Sequence, residues 1–408
     1  MIRFFDGGMG SMLNLAAGEL PEKLNISEPE RVFAVHKGYA DAGAEFITAN
    51  TFGANSLKYD NVDELVKAGV ALAKKAGKYV ALDIGPTGKL LKPMGDLEFE
   101  RAVELFAEVV RAGKDGSDVA IIETMSDMYE LKAAVIAVKE NSDLPIITSM
   151  IFDESGRLLT GGDVKSAVAM LEGLRVDAIG FNCGLGPKQM IPLVKELREC
   201  TSLPILVMPN AGLPESVDGK TVYNVSPDEF AQDMREIAKL GVSILGGCCG
   251  TTPKHIAKMI ELCKDIPDNV PEKKNDTVVC SYSSAVTIGE KPVVIGERIN
   301  PTGKKLFKEA LRNNNIDYII KEGMAQQEKG AHILDVNVGL PEIDEVQMLQ
   351  DGDADPDDVM LAKCKYQGQL DEYARFSKQM GLKQERERIY IDGRWRVAPG
   401  RIDKKLNV

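Results

Sequence analysis

Short apolar runs alternate with helical stretches along the first two thirds of the chain. The runs cover residues 2–5, 46–50, 79–85, 119–124, 145–152, 178–182, 204–209 and 242–246. Between them apolar positions recur at helical spacing, as in 30–43 and 163–174. Asp163 and Ser226 stand where helix N-caps belong, and Pro227 and Pro253 stand at first helical positions. Alternating strand and helix predicts a parallel sheet. Eight such units in roughly 250 residues predict an α/β fold of the (β/α)8 TIM-barrel type, here over residues 1–265. A doubly wound open sheet is the competing arrangement. The barrel is preferred because almost every run ends in residues able to do chemistry: DGG, TANT, DIGP, ETM, FNCG, MPNAG and GGCCG. Barrel enzymes gather their active sites from the C-terminal ends of all the strands.

The pattern changes after residue 265. Residues 266–291 read as a linker, opened by proline, lysine and glutamate and closed by a hairpin. A second βαβ start follows over 292–349, with strands at 293–299 and 333–338 and helices at 304–312 and 318–329. Two strands cannot close a barrel, so this segment is expected to be an incomplete second β/α barrel. Residues 350–408 read as an acidic linker and a charged, mixed tail. The acidic run DGDADPDD lacks the spaced ligands and terminal glutamate of an EF-hand loop and reads as solvated linker.

Composition narrows the function classes. The 408 residues are 44% hydrophobic and 27% charged, as in an ordinary globular protein. A net charge of −12 without a basic cluster argues against nucleic-acid binding, which needs Lys and Arg to displace counterions. No apolar stretch is long enough to span a bilayer, so no membrane association is expected. MIRFFDGGMG is not built like a secretory leader. Seven cysteines, an odd number, then point to a reducing cytoplasm, where thiols are free or bind metal.

Three of those cysteines stand apart. Cys183 lies in FNCG after the sixth run, and Cys248 and Cys249 lie in GGCCGT after the eighth. Two adjacent cysteines cannot both enter one core along a strand, but a glycine-flanked turn lets both reach one metal. Three thiolates at one barrel mouth would hold zinc and leave a coordination position open, the mark of a catalytic site. Cys200, Cys263, Cys280 and Cys364 have no such setting and are expected to be structural. His36, His255 and His332 fall in no metal or nucleophile pattern and are expected to be structural or surface residues.

In order along the chain, DGGMGSML, ITANTFGAN, FNCG, MPNAGLP and GGCCGT resemble the homocysteine-binding barrel of the cobalamin-dependent methionine synthases. Their wider group is the zinc-dependent homocysteine S-methyltransferases. The resemblance covers residues 1–265. VVIGERINPTGKK and HILDVNVGLPEIDEVQML, within 292–349, resemble the start of the same family's folate-binding barrel. The resemblance implies Cys183, Cys248 and Cys249 as zinc ligands and homocysteine as the thiol that takes the fourth position. Asp6 and Glu123, at the ends of the first and fourth runs, are candidates for its ammonium. Gly7 and Gly8 are candidates for backbone N–H contacts to its carboxylate. Asn50, Thr51 and Ser149 are rim candidates that equally suit bracing of loops. Asn210 either occupies the zinc before substrate arrives, as the resemblance implies, or stabilises its turn. Glu297, Asn300, Asp335 and Asn337 match pterin-binding positions and are expected to be idle without an enclosing pocket. The implied reaction forms methionine from homocysteine. Its donor would be methylcobalamin supplied in trans by a corrinoid-binding protein, or a small methylated compound such as S-methylmethionine or betaine. The competing reading is a module that binds zinc and homocysteine without turnover.

Overall fold

The computed structural model describes residues 1–345 apart from 16–18, 93, 218–219 and 290, together with Met348, 388–391 and 394–397. The chain forms two compact units. One comprises Met1–Leu91 and Gly95–Lys274, and the other comprises Lys92–Met94 with the chain from Asn275 onward.

The first unit carries the strands β1 (Arg3–Phe4), β2 (Phe46–Thr48), β3 (Tyr79–Ile84), β4 (Val119–Met125), β5 (Ile146–Met150), β6 (Ala178–Asn182), β7 (Ile205–Met208) and β8 (Ile244–Leu245). After each comes a barrel helix: α1 (Pro29–Asp41), α2 (Val62–Lys75), α3 (Phe99–Gly113), α4 (Met128–Asn141), α5 (Val164–Gly173), α6 (Pro187–Cys200), α7 (Pro227–Lys239) and α8 (Pro253–Cys263). The parallel sheet runs β1-β8-β7-β6-β5-β4-β3-β2. A bridge between Phe5 and Phe46, and the bond from Glu45 N to Phe4 O at 2.8 Å, join its two ends. The expected barrel is therefore present.

β5, β6 and β7 are buried at every position, on both faces, which is why they read as continuous apolar runs. Phe5, Ala81, Val119, Ile121, Ile147, Ala178, Leu206, Met208 and Ile244 fill the barrel interior. The alternate residues meet the surrounding helices. Local sequence fixes where those helices begin. Asp163 accepts from Ser166 N at 2.7 Å and its own N–H donates to Ser166 Oγ, a capping box at the start of α5. Ser226 caps α7 by accepting from Glu229 N, with Pro227 as the first helical residue.

The first unit continues past α8. Arg198 Nη1 donates to Asn269 O at 2.7 Å, and Lys274 N donates to Ser202 Oγ at 2.9 Å. The opening of the segment expected to be a linker is thus strapped to the barrel. In the second unit β9 (Thr277–Cys280) and β10 (Ala285–Ile288) form an antiparallel hairpin. β11 (Ile295–Ile299), α9 (Lys305–Arg312), α10 (Ile316–Glu328) and β12 (Ile333–Val336) then form one βαβ turn with β11 and β12 parallel. Ile299, Phe307, Leu311, Leu334 and Val338 make its small core. A further antiparallel hairpin pairs Arg388–Ile391 with Arg394–Val397. DGDADPDD and Cys364 lie outside the described residues. Among the described residues no helix is long and apolar enough to cross a membrane.

Candidate metal centre

The loops after β6, β7 and β8 are laced together by backbone hydrogen bonds that continue the sheet beyond its strands. Cys183 N donates to Met208 O at 3.1 Å, and Asn210 N donates to Leu185 O at 3.0 Å. Cys248 N donates to Pro209 O at 2.9 Å, and Ala211 N donates to Cys249 O at 3.0 Å. This lacing carries Cys183, Cys248 and Cys249 to one place. Their sulfurs lie within 4.8 Å of one another, with Cys183 Sγ 3.7 Å from Cys249 Sγ. They form the single group of potential metal ligands of this kind among the described residues.

The three thiols perturb one another strongly. Hydrogen bonds from the Cys183 and Cys248 thiols hold Cys249 far below an ordinary thiol, at about 3. Cys248 is pushed well up by its hydrogen bonds to Cys183 and Cys249, and by burial. Cys183 is lowered by Cys248, but Cys249 and burial outweigh this and place it at about 11. Thiols packed this closely oppose one another's ionisation, and a cation among them favours the loss of their protons. Asn210, in the loop between the two cysteine loops, is buried, and its Oδ1 has no hydrogen-bond partner. Three soft thiol donors within 4.8 Å of one another fit a thiophilic divalent ion of the zinc type.

The inward-facing positions above the apolar barrel interior are polar. Side chains alternate along a strand, so a residue two positions beyond an interior one also faces inward. Phe46 leads in this way to Thr48, Ala81 to Asp83, Ile121 to Glu123, Ile147 to Ser149, and Ala178 through Gly180 to Asn182. Asp6 joins them from the end of β1. Its carboxylate accepts from Thr48 Oγ1 at 2.7 Å and Thr48 N at 2.9 Å. Burial nevertheless raises Asp6 to about 7. Glu123 is raised to about 8 by burial first, then by its electrostatic interaction with Cys183 and Asp6. Asp83 is raised by burial, then by Glu123, Glu22 and Asp6, and its Oδ1 has no partner. Such a pocket favours cationic occupants.

The remaining candidates divide. Gly7 and Gly8 sit against the Cys248 loop, where a β-carbon on Gly7 would lie 2.4 Å from Thr251 Oγ1 and one on Gly8 would lie 2.7 Å from Cys248 O. The Gly8 N–H, expected to meet a substrate carboxylate, donates instead to Thr251 Oγ1 at 3.2 Å. Asn50 and Thr51 brace loops. Asn50 Nδ2 donates to Pro21 O and Asn25 Oδ1, both at 2.8 Å, and Thr51 Oγ1 donates to Asp83 O at 2.8 Å. Ser149 is fully buried and donates to Asn182 Oδ1. In the second unit Glu297 accepts from Asn300 Nδ2 at 2.7 Å, Asn337 Oδ1 accepts from Gly339 N, and Asp335 is half-buried and raised by burial and by Glu297. These four lie on and just beyond β11 and β12. Cys263 is fully buried. His36 is buried with both ring nitrogens unpartnered, and His255 completes a cap with Thr252 and meets Val225 O at 3.0 Å. His332 Nδ1 accepts from Val294 N.

Sequence reasoning passed over Thr48, Asp83 and Asn182, although strand parity picks them out. It also passed over Thr251, which joins Gly8 to the Cys248 carbonyl by accepting at 3.2 Å and donating at 2.6 Å.

Residues 3–263 match the family model described as Homocysteine S-methyltransferase. The chain is 32% identical over 371 residues to a methionine synthase of Mycobacterium leprae (strain TN). It is 31% identical over 366 residues to a methionine synthase of Mycobacterium tuberculosis (strain ATCC 25618 / H37Rv). Each match covers 82% of this chain and 31% of the relative, so the chain spans under a third of the length of these curated relatives. The homocysteine methyltransferase MmuM from Escherichia coli, in its metallated form, superposes with a TM-score of 0.55 at 23% identity, covering 63% of this chain and 95% of that one. Its apo form gives 0.52 at 25% identity, covering 64% and 95%. At such identities the likeness supports the barrel fold.

Proposed function

This chain belongs to the homocysteine S-methyltransferase family, and we propose that its first unit is a zinc-dependent acceptor site that methylates homocysteine to methionine. One observation carries the reading: three thiols within 4.8 Å at a barrel mouth whose inward-facing positions hold buried carboxylates. Cys183, Cys248 and Cys249 would hold the ion. Bound there, zinc supplies the positive charge that keeps a substrate thiol deprotonated near neutral pH.

The chain's own residues do the rest. Asp6 and Glu123 face the pocket with raised proton affinity and bind the substrate ammonium. Gly7 and Gly8 keep the β1 loop close to Cys248. Asn210, whose buried Oδ1 has no hydrogen-bond partner, would be a further ligand for the ion in the absence of substrate. The substrate sulfur, its proton already lost to solvent, forms a bond to the donor's methyl carbon. The bond from that carbon to the donor breaks with its electron pair remaining on the donor.

For the donor we favour methylcobalamin carried by a separate corrinoid-binding protein, in keeping with the similarity to methionine synthases. S-methylmethionine and betaine are the small-molecule alternatives. The residues matched to pterin positions, Glu297, Asn300, Asp335 and Asn337, are read as inherited and idle. The test mixes zinc-loaded protein with homocysteine and methylcobalamin and follows the cobalamin spectrum, with Cys183→Ala as control. Demethylation that depends on both homocysteine and Cys183 is expected. One zinc per chain without turnover on any of the three donors would replace this reading by a binding-only module.

A further inference from the structure

Asn182 ends β6 with a fully buried side chain whose amide is used at both ends. Its Oδ1 accepts from Thr124 N at 2.9 Å and Ser149 Oγ at 2.8 Å. Its Nδ2 donates to Thr124 Oγ1 at 2.7 Å and Glu123 Oε2 at 3.1 Å, and lies 3.8 Å from Cys248 Sγ. One side chain therefore touches both the carboxylate proposed for the ammonium and a thiol proposed for the metal.

The backbone around it is strained. Thr124 has φ 63°, left-handed for a β-branched residue, and it sits where the β4–β5 register slips between Ile122 and Met125. Cys183, next to Asn182, has φ 55°. A bulge of this kind re-aims the side chain beside it, here Glu123. It persists only where surrounding bonds over-determine it. Asn182 supplies two of those bonds, to the N–H and to the hydroxyl of Thr124.

We infer that Asn182 is a positioning residue that fixes Glu123 and Cys248 in one geometry, so that a thiol at the metal and its ammonium at Glu123 are gripped together. This rests on homocysteine being the acceptor. A general packing role would weaken every thiol alike. A positioning role acts on the ammonium contact.

The test is calorimetry on zinc-loaded full-length protein with two thiols, homocysteine and 4-mercaptobutanoic acid, which differ by the ammonium group. Asn182→Asp keeps the shape but sets a carboxyl against Glu123 in place of the amide donor, and so should unseat Glu123. It should weaken homocysteine by about tenfold or more, the size of one lost hydrogen bond to a charged group. The other thiol should change little, so the preference between them collapses. Ser149→Ala, which loosens Asn182 without touching Glu123, should give a smaller loss in the same sense, and it decides the matter if Asn182→Asp fails to hold one zinc. Equal weakening of both thiols, or an unchanged preference, would overturn the inference. A wild-type protein that does not distinguish the two thiols would overturn the ammonium role of Glu123 and this inference with it. That result is separate from wild-type discrimination that the variants leave intact.

Discussion

At the scale of single residues, proton affinity and steric room make the sharpest demands. Asp6 and Glu123 are acids whose folded values, about 7 and about 8, lie above the ordinary 3.8 and 4.5. Through that interval these two groups hold more protons in the folded, metal-free protein than in the unfolded chain, so their contribution to stability falls as pH rises. His36, lowered by burial from 6.5 to about 4, acts in the opposite sense below pH 6.5. Between about pH 6.5 and 8 the Cys249 thiol, held at about 3 in the folded protein, opposes the two carboxyls, so their cost of about 2 kcal/mol is read as a difference between wild type and variants that lack them. Thermal melting of zinc-free protein at the two ends of that window measures it. Glu123→Gln should remove the larger share and tilt the profile toward rising stability with pH, and a profile that this variant leaves unchanged would contradict the burial of Glu123. Steric room gives a second demand. A β-carbon at Gly8 would press on the Cys248 carbonyl at 2.7 Å, whereas one at Gly10 meets nothing within 4 Å. Gly8→Ala should lower zinc affinity, measured by chelator competition, while Gly10→Ala should not.

At the scale of elements, the eight strands were legible because burial, on both faces in β5, β6 and β7, leaves a continuous apolar run and each run ends in a glycine-rich turn. The thiols were legible for a related reason: a vicinal pair flanked by glycines has no use inside a strand. The inward-facing polar positions were less legible. Asp83 stands in DIGP and Asn182 in FNCG, but motif reading weighs the residues at a turn, and these two belong to the strand. Counting by twos from Ala81 and Ala178 finds them. Asn50 and Thr51 went the other way, since nothing in ITANTF says that Asn25 and Pro21, more than twenty residues earlier, will take the Asn50 amide. Thr48, two residues before Asn50, proves the more telling position. Its hydroxyl and N–H both bind Asp6, so β2 aims the carboxylate at the end of β1. Thr48→Val keeps the strand and removes the hydroxyl. It should cost on the order of 1–3 kcal/mol by leaving a buried oxygen short of a partner. It should also weaken homocysteine while zinc stays at one per chain. Melting and calorimetry on one preparation separate the two effects, and an unchanged melting midpoint would show that Asp6 is solvated from elsewhere.

At the scale of the whole molecule, the two units differ in how completely their strands are covered. The first closes its sheet on itself, and its straps at Asn269 and Lys274 carry it beyond the last barrel helix. The second, among its described residues, pairs β11 with β12 alone, and most of β11 is exposed. Val294, Ile295, Leu306 and Met324 are large apolar residues left 45% exposed or more in that short segment. Parallel strands are normally buried on both faces, and a single parallel pair leaves unpaired edges and apolar surface in water. Cutting the chain after Lys274 should therefore leave a fragment that melts cooperatively and binds one zinc. The same cut placed at 265 removes the straps and should lower the melting midpoint. The complementary fragment, 275–349, should bind a hydrophobic dye and show no cooperative transition. If it folds cooperatively by itself, its small core around Phe307 and Leu334 is sufficient without further strands, and the reading of this segment as an incomplete barrel gives way to that of a self-sufficient module.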